Sequence, residues 1–127
     1  MNQPTILLWN LPILCPAHTA LTTHPENKNI SFRHIAPEDT GCTLASLAGL
    51  SSQQKAAALP CASTPAIIFC GLSDEQLDSC LALLRGCGQQ VPLKAVLTIH
   101  NQNWAFGKLF QELESEYQYF QSQKNSK

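Results

Sequence analysis

Charge is scarce in this chain of 127 residues: Asp, Glu, Lys and Arg together make up 13%, about half the share of an ordinary globular protein. Eight basic residues against nine acidic ones leave a net charge of -1. That balance excludes a broad basic face for nucleic acid, and there is no acidic tail. So weakly charged a surface offers little like-charge repulsion between copies, which is compatible with a homo-oligomer or with a monomer solvated by Gln and Asn. Long apolar runs are missing as well: none approaches the eighteen or so residues of a membrane span. The stretch Met1 to Asn10 lacks the basic start of a signal peptide, so a mature cytoplasmic protein without membrane contact is expected.

The usual signatures of chemistry are also wanting. Six cysteines stand at 15, 42, 61, 70, 80 and 87, with no C-x-x-C pair to anchor zinc or a redox dithiol. A reducing cytoplasm disfavours three disulfides. Cys70 lies in an apolar strand pattern and Cys80 and Cys87 on the apolar side of a helix, so packed thiols are expected. His18, His24, His34 and His100 form no metal-ligand spacing with them. No G-x-S-x-G elbow occurs, a single Gly71 is too little for a phosphate cradle, and the neighbours Glu38 and Asp39 face apart. No catalytic residue, metal or cofactor is assigned.

What the chain does have is hydrophobic residues at 44% in patterned segments. Thr5 to Asn10 and Ala66 to Cys70 are short continuous apolar runs, as expected of strands covered on both faces. Ile30 to Ile35 and Val91 to Ile99 are more mixed. In the latter Val91, Leu93, Ala95, Leu97 and Ile99 point one way, and Arg33 and Lys94 suit strands at sheet edges. Ser73-Asp74-Glu75-Gln76 has the form of a capping box and opens a helix with Leu77, Cys80, Leu81, Leu84 and Cys87 on one face. Gly86 and Gly88 are its candidate stops. A last helix is expected from near Asn103 to Phe120, with Phe106, Leu109, Phe110, Leu113, Tyr117 and Phe120 on its core side. Shorter helices are expected from Pro16 to Thr22, from Thr43 to Ala48 and from Gln53 to Leu59.

The segments from 4 to 49 and from 65 to 120 align with each other. Pro4 to Leu11 lies on Pro65 to Leu72 at an offset of 61 residues, and the same offset lays Ile30 to Arg33 on Val91 to Lys94. Two copies of strand–helix–strand–helix are read here, joined by a connector over 50–64, in one α/β domain over 1–120 with a frayed tail over 121–127. The preferred architecture is a four-stranded parallel sheet in order 2-1-3-4. The alternative is a ferredoxin-like antiparallel α+β sheet.

Pro65 to Asp78, Val91-Pro92-Leu93 and the run Lys94-Ala95-Val96-Leu97-Thr98, followed by Asn101 and Trp104, resemble the small bacterial family named domain of unknown function 3783, over roughly residues 65 to 120. The Ala36 to Asp39 turn extends the likeness loosely into the first half, whose proline-interrupted stretch from Leu11 to Asn29 departs from it. The resemblance implies an α/β fold and bacterial origin and carries no activity.

One loop stands out for binding, against the plainer reading in which Asn101 and Asn103 cap the helix, Trp104 staples it to the core and His100 is solvated. Thr98, His100, Asn101, Asn103 and Trp104 follow a strand and open a helix, where ligands collect in open α/β sheets. In a parallel sheet Asn10 and Ser73 would sit side by side at the switch point of strand order. Arg33 and Lys94, related by the repeat, are read as solvated edge charges, with an anion site as the alternative. The function expected is a non-catalytic binding or regulatory module acting on a protein or small molecule. The alternative is a ligand-binding protein or enzyme using the 98–104 loop.

Overall fold

Thr5–Trp9 (β1) and Ala66–Cys70 (β3) are buried at every residue. A strand with apolar side chains on both of its faces must lie inside a sheet that is covered on both sides. In the computed structural model, which describes residues 4–13, 15–49 and 57–125, these two form the centre of a four-stranded sheet. Ser31–His34 (β2) and Leu93–Val96 (β4) are its edges, in order β2-β1-β3-β4. The order and the edge positions are those expected. The strand directions are not all parallel: β1 pairs β2 and β3 pairs β4 in parallel, but the central pair β1 and β3 is antiparallel.

That one reversal sets the layers. Each parallel pair is joined by a crossover helix, Pro16–Thr22 (α1) in the first half and Asp74–Gly86 (α3) in the second. Crossovers of one hand in two oppositely directed units fall on the same face. Ala17 and Leu21 of α1 and Cys80 and Leu84 of α3 accordingly share one core with Ile6, Leu8, Ile67 and Phe69. The other face carries Leu44–Leu47 (α2) and Phe106–Asn125 (α4), whose Leu44, Leu47, Phe106 and Phe110 pack on Leu7, Trp9 and Ile68. The four-residue α2 covers little. The chain from 57 to 64 completes the cover, with Trp9 Nε1 donating to the Ala62 carbonyl (2.9 Å) and Thr64 Oγ1 to Glu114 (2.6 Å).

The two halves are related by a local two-fold. Leu7 pairs with Ile68, its own equivalent, so the axis passes through that pair. On the α2/α4 side it passes through a bridge between Thr43 and Ala105. The flanking bonds are reciprocal: Leu44 N–H donates to the Trp104 carbonyl and Phe106 N–H to that of Cys42, both at 2.9 Å. The edge strands correct the ungapped alignment by one residue. Thr5 faces Ser31 whereas Ala66 faces Leu93, so Lys94 is the equivalent of Phe32 and not of Arg33.

Local expectations held where capping chemistry was explicit. The Ser73–Gln76 box is formed and α1 has its expected bounds, while α2 is shorter than the expected Thr43 to Ala48, with those two residues as its caps. Others shift. β4 ends at Val96, which leaves Ile99 79% exposed beyond it, and Val91 packs into the opposite core from Leu93. The last helix starts at Phe106, because the bridge holds Trp104 and Ala105 out of helical geometry. It continues to Asn125 through the expected frayed tail, with Gln121 half-buried and Phe120 turned out. Of the expected helix from Gln53 to Leu59, 53–56 lie outside the described residues and 57–59 are irregular. All six cysteines are free thiols.

Two helical glycines yield opposite expectations. A Cβ on Gly107 would stand 2.7 Å from Leu59 Cβ and 3.1 Å from the Thr40 carbonyl oxygen, while one on Gly86 meets nothing within 4 Å. Gly86→Ala should stabilise by about 0.4–1 kcal/mol through the unfolded chain. Gly107→Ala should destabilise by roughly 1–3 kcal/mol through overpacking. Urea unfolding of the two variants checks this, and a Gly107→Ala protein as stable as the parent would refute the close approach of α4 to the connector.

Candidate functional site

The antiparallel centre separates the residues singled out in the sequence. Asn10 ends β1 and Gly71 ends β3, at opposite ends of the sheet, so Asn10 and Ser73 do not meet. Both turns use the left-handed region, with φ of 55° at Asn10 and 74° at Gly71. Asparagine tolerates this better than most residues, and the Asn10 side-chain amide is tied to the Ser63 carbonyl. Ser73 is spent on its capping box: its Oγ accepts from Gln76 N–H and its own N–H donates to Gln76 Oε1.

The 98–104 loop closes on itself. Asn101 Oδ1 accepts Thr98 N–H at 2.8 Å and its Nδ2 donates to the Val96 carbonyl at 3.1 Å. Thr98 Oγ1 accepts the N–H groups of His100 and Asn101, both at 3.2 Å. His100 and Asn103 are exposed, and Asn103 stands before α4 without capping it. Trp104 is half-buried under Lys108 Nζ, 5.1 Å from the ring centroid. Arg33 lies on the α2 face, where Nη1 donates to the Leu47 carbonyl at 3.2 Å, so it makes no pair with Lys94.

Of the nine residues singled out in the sequence, only Lys94 lines a wide groove beside β4. That groove, of about 730 Å³, lies at the start of β4, between the last turns of α3 and the distal part of α4. Its apolar wall is Leu81, Leu84, Val91 and Pro92. The polar side is Arg85, Lys94 and Tyr117 with the carboxamides of Gln89, Gln90 and Gln121. Helical spacing places it: Leu81, Leu84 and Arg85 share a face of α3, and Tyr117 and Gln121 stand one turn apart on α4. Gly88, at φ 83°, turns the chain from α3 back towards β4. Gln89 Oε1 accepts Ala17 N–H at 2.8 Å, and Lys94 Nζ donates to the Val91 carbonyl at 2.7 Å. Sequence reasoning missed Arg85, Tyr117 and the three glutamines. The available signal was Gln121, four residues beyond Tyr117 on the same helix stripe.

A second cavity of about 510 Å³ lies under the 58–63 chain, against Trp9, Asn10 and Ile35. It holds the Cys61 thiol, whose pKa is raised by burial and then by the charge of Glu114. Burial alone pushes Cys70 up to about 12, and it also raises Cys80, against a hydrogen bond from Asn27. These thiols are held protonated, which suits packing and not nucleophilic attack. Neither cavity takes in a residue of the 98–104 loop.

His18 on α1 stacks on His34 of β2, with centroids 5.1 Å apart. Burial, and secondly the His34 charge, hold His18 below its ordinary 6.5. A depressed histidine favours the folded state when neutral, so stability should fall as pH drops from above 6.5 towards the lowered value. His18→Gln should flatten that loss between about pH 7.5 and pH 5, and His34→Gln should flatten it only in part, since burial remains. Chemical denaturation across that range measures both slopes. In the loop, Asn101→Ala removes two hydrogen bonds and should cost about 1–2 kcal/mol, whereas Asn103→Ala should stay within about 0.5 kcal/mol. Equal costs would mean that Asn103 fastens the approach to α4 as much as Asn101 does.

No curated protein and no solved structure matches the chain significantly. The profile of the family described as Domain of unknown function (DUF3783) matches residues 65–120. That stretch holds β3, α3, β4 and most of α4. The second half of the chain is thus similar to the domain of unknown function 3783.

Proposed function

We propose that this protein is a small, non-catalytic binding or regulatory module that takes a small molecule in the groove between α3, β4 and α4. The observation that carries the reading is the composition of that groove. It presents a guanidinium, an ammonium, carboxamides and a phenol around an apolar wall, which are groups that orient a ligand. The volume lies within the roughly 300–1,000 Å³ typical of small-molecule sites. The enzyme reading would rest on the 98–104 loop, where the Thr98 and Asn101 side chains bond to the loop's own backbone. We further propose a cytoplasmic, bacterial protein that arose by internal duplication. The reciprocal bonds about Thr43 and Ala105 and the self-pairing of Leu7 with Ile68 favour duplication. The sparse charge leaves self-association open to the same protein.

The test is a thermal-shift screen against a metabolite library, because a ligand of the folded state raises apparent stability. Gln90 is exposed on the groove, so Gln90→Trp should fill the groove while changing intrinsic stability by less than about 0.5 kcal/mol. Stabilisation by a hit should vanish in Gln90→Trp and persist in Asn101→Ala. The opposite pattern would move the site to the 98–104 loop.

A further inference from the structure

We propose that the groove selects anionic amphiphiles: small molecules with a carboxylate or phosphate head on an apolar body. This rests on the groove being the binding site. Two cations, Arg85 and Lys94, line it, and no described aspartate or glutamate does. In a chain with net charge -1 and only eight basic residues, that pairing is a local positive spot in an almost neutral surface. Walls of low dielectric, here Leu81, Leu84, Val91 and Pro92, strengthen its field. Lys94 is also positioned. Its ammonium donates one hydrogen bond to the Val91 carbonyl at 2.7 Å, which anchors the flexible stem at the groove and leaves two donors for a ligand. Arg85 offers a planar fork that matches carboxylate or phosphate oxygens two at a time. A head group held there directs the rest of the molecule along the apolar wall and the Tyr117 ring. A neutral amphiphile gains only that wall, and a cationic one is repelled.

The probe is 8-anilinonaphthalene-1-sulfonate, whose sulfonate stands in for the head, titrated by fluorescence beside N-phenyl-1-naphthylamine, the same body without charge. The sulfonate should bind saturably with one equivalent and weaken with added salt. Arg85→Gln and Lys94→Gln should each weaken it about tenfold, the scale of one charged contact. Both side chains are exposed, and circular dichroism confirms that the variants fold. Binding of the uncharged probe should be weak and insensitive to either change. Displacement by decanoate identifies a carboxylate head and displacement by decyl phosphate a phosphate head, with decanol ineffective in both cases. The inference is overturned if the double variant binds the sulfonate as well as the parent does, or if decanol displaces as readily as the anions. Should Gln90→Trp abolish binding while the charge variants do not, the groove stands and its anion preference fails. Should Gln90→Trp leave binding intact, the groove itself is not the site.

Discussion

The structure depends on the antiparallel pairing of two strands that have no polar face. β1 and β3 are buried throughout, so neither can sit at an edge or leave one side of the sheet to water. Side chains such as Ile6, Ile67 and Phe69, at 0–1% exposure, each gain about 1.5–3 kcal/mol from burial, but only if both layers of cover are in place. Because β3 runs against β1, α1 and α3 share one layer, and α2, α4 and the 57–64 chain must form the other. The layer that α2 is too short to complete is finished by backbone and side-chain bonds, Trp9 to Ala62 and Thr40 Oγ1 to Leu59 among them. This is why Gly107 has no room for a methyl group: α4 must come close enough to donate its N–H to the Thr40 carbonyl.

Much of this was legible in the sequence, and for physical reasons. An apolar run bounded by turn residues marks a central strand, a charge on an otherwise apolar run marks an edge, and Ser73 with Gln76 marks a helix start. Strand direction was not legible. A run such as Ala66 to Cys70 presents the same two apolar faces whichever way it points, so burial selects its place in the sheet and not its sense. Register was half legible. The repeat aligned without a gap, yet one extra residue before β4 shifts its pairing, and a shift of one residue exchanges the faces of a strand. That is how Lys94 came to be matched with Arg33 when its structural equivalent is Phe32.

The candidate site was legible only at Lys94. The groove draws on the end of α3, the 88–92 turn and the far part of α4, which are distant in sequence and marked by no motif. Tyr117 read as core because its spacing continues the stripe of Phe106 and Phe110, and it does pack at the margin of that core. Gln121 read as tail because a glutamine at a core position carries no hydrophobic signal. The 98–104 loop has two readings in the sequence. A cluster of Thr, His and Asn after a strand has the composition of a binding loop, but the same residues are the ones whose side chains bond to nearby backbone. Asn101 does so twice, which commits one N–H and one lone pair of its carboxamide.

The near-symmetry of the halves makes the two sheet edges directly comparable. At the β2 edge the position equivalent to Lys94 is Phe32, which packs on the α1 layer, and His34 beside it is covered by His18. At the β4 edge the same position carries an ammonium, which cannot be packed away and is held out by the Val91 carbonyl. The helices differ too. α2 stops after Leu47, whereas α4 runs on to Asn125 and brings Tyr117 and Gln121 alongside the end of α3. One half thus fills its edge with an aromatic ring, and the other leaves it open between two helices with cations on the rim. Every residue lining the groove lies between Leu81 and Gln121, so the site is built almost wholly from the family-matched segment 65–120. The first half shapes it chiefly through α1, where Ala17 N–H fixes the Gln89 side chain at the groove's wall.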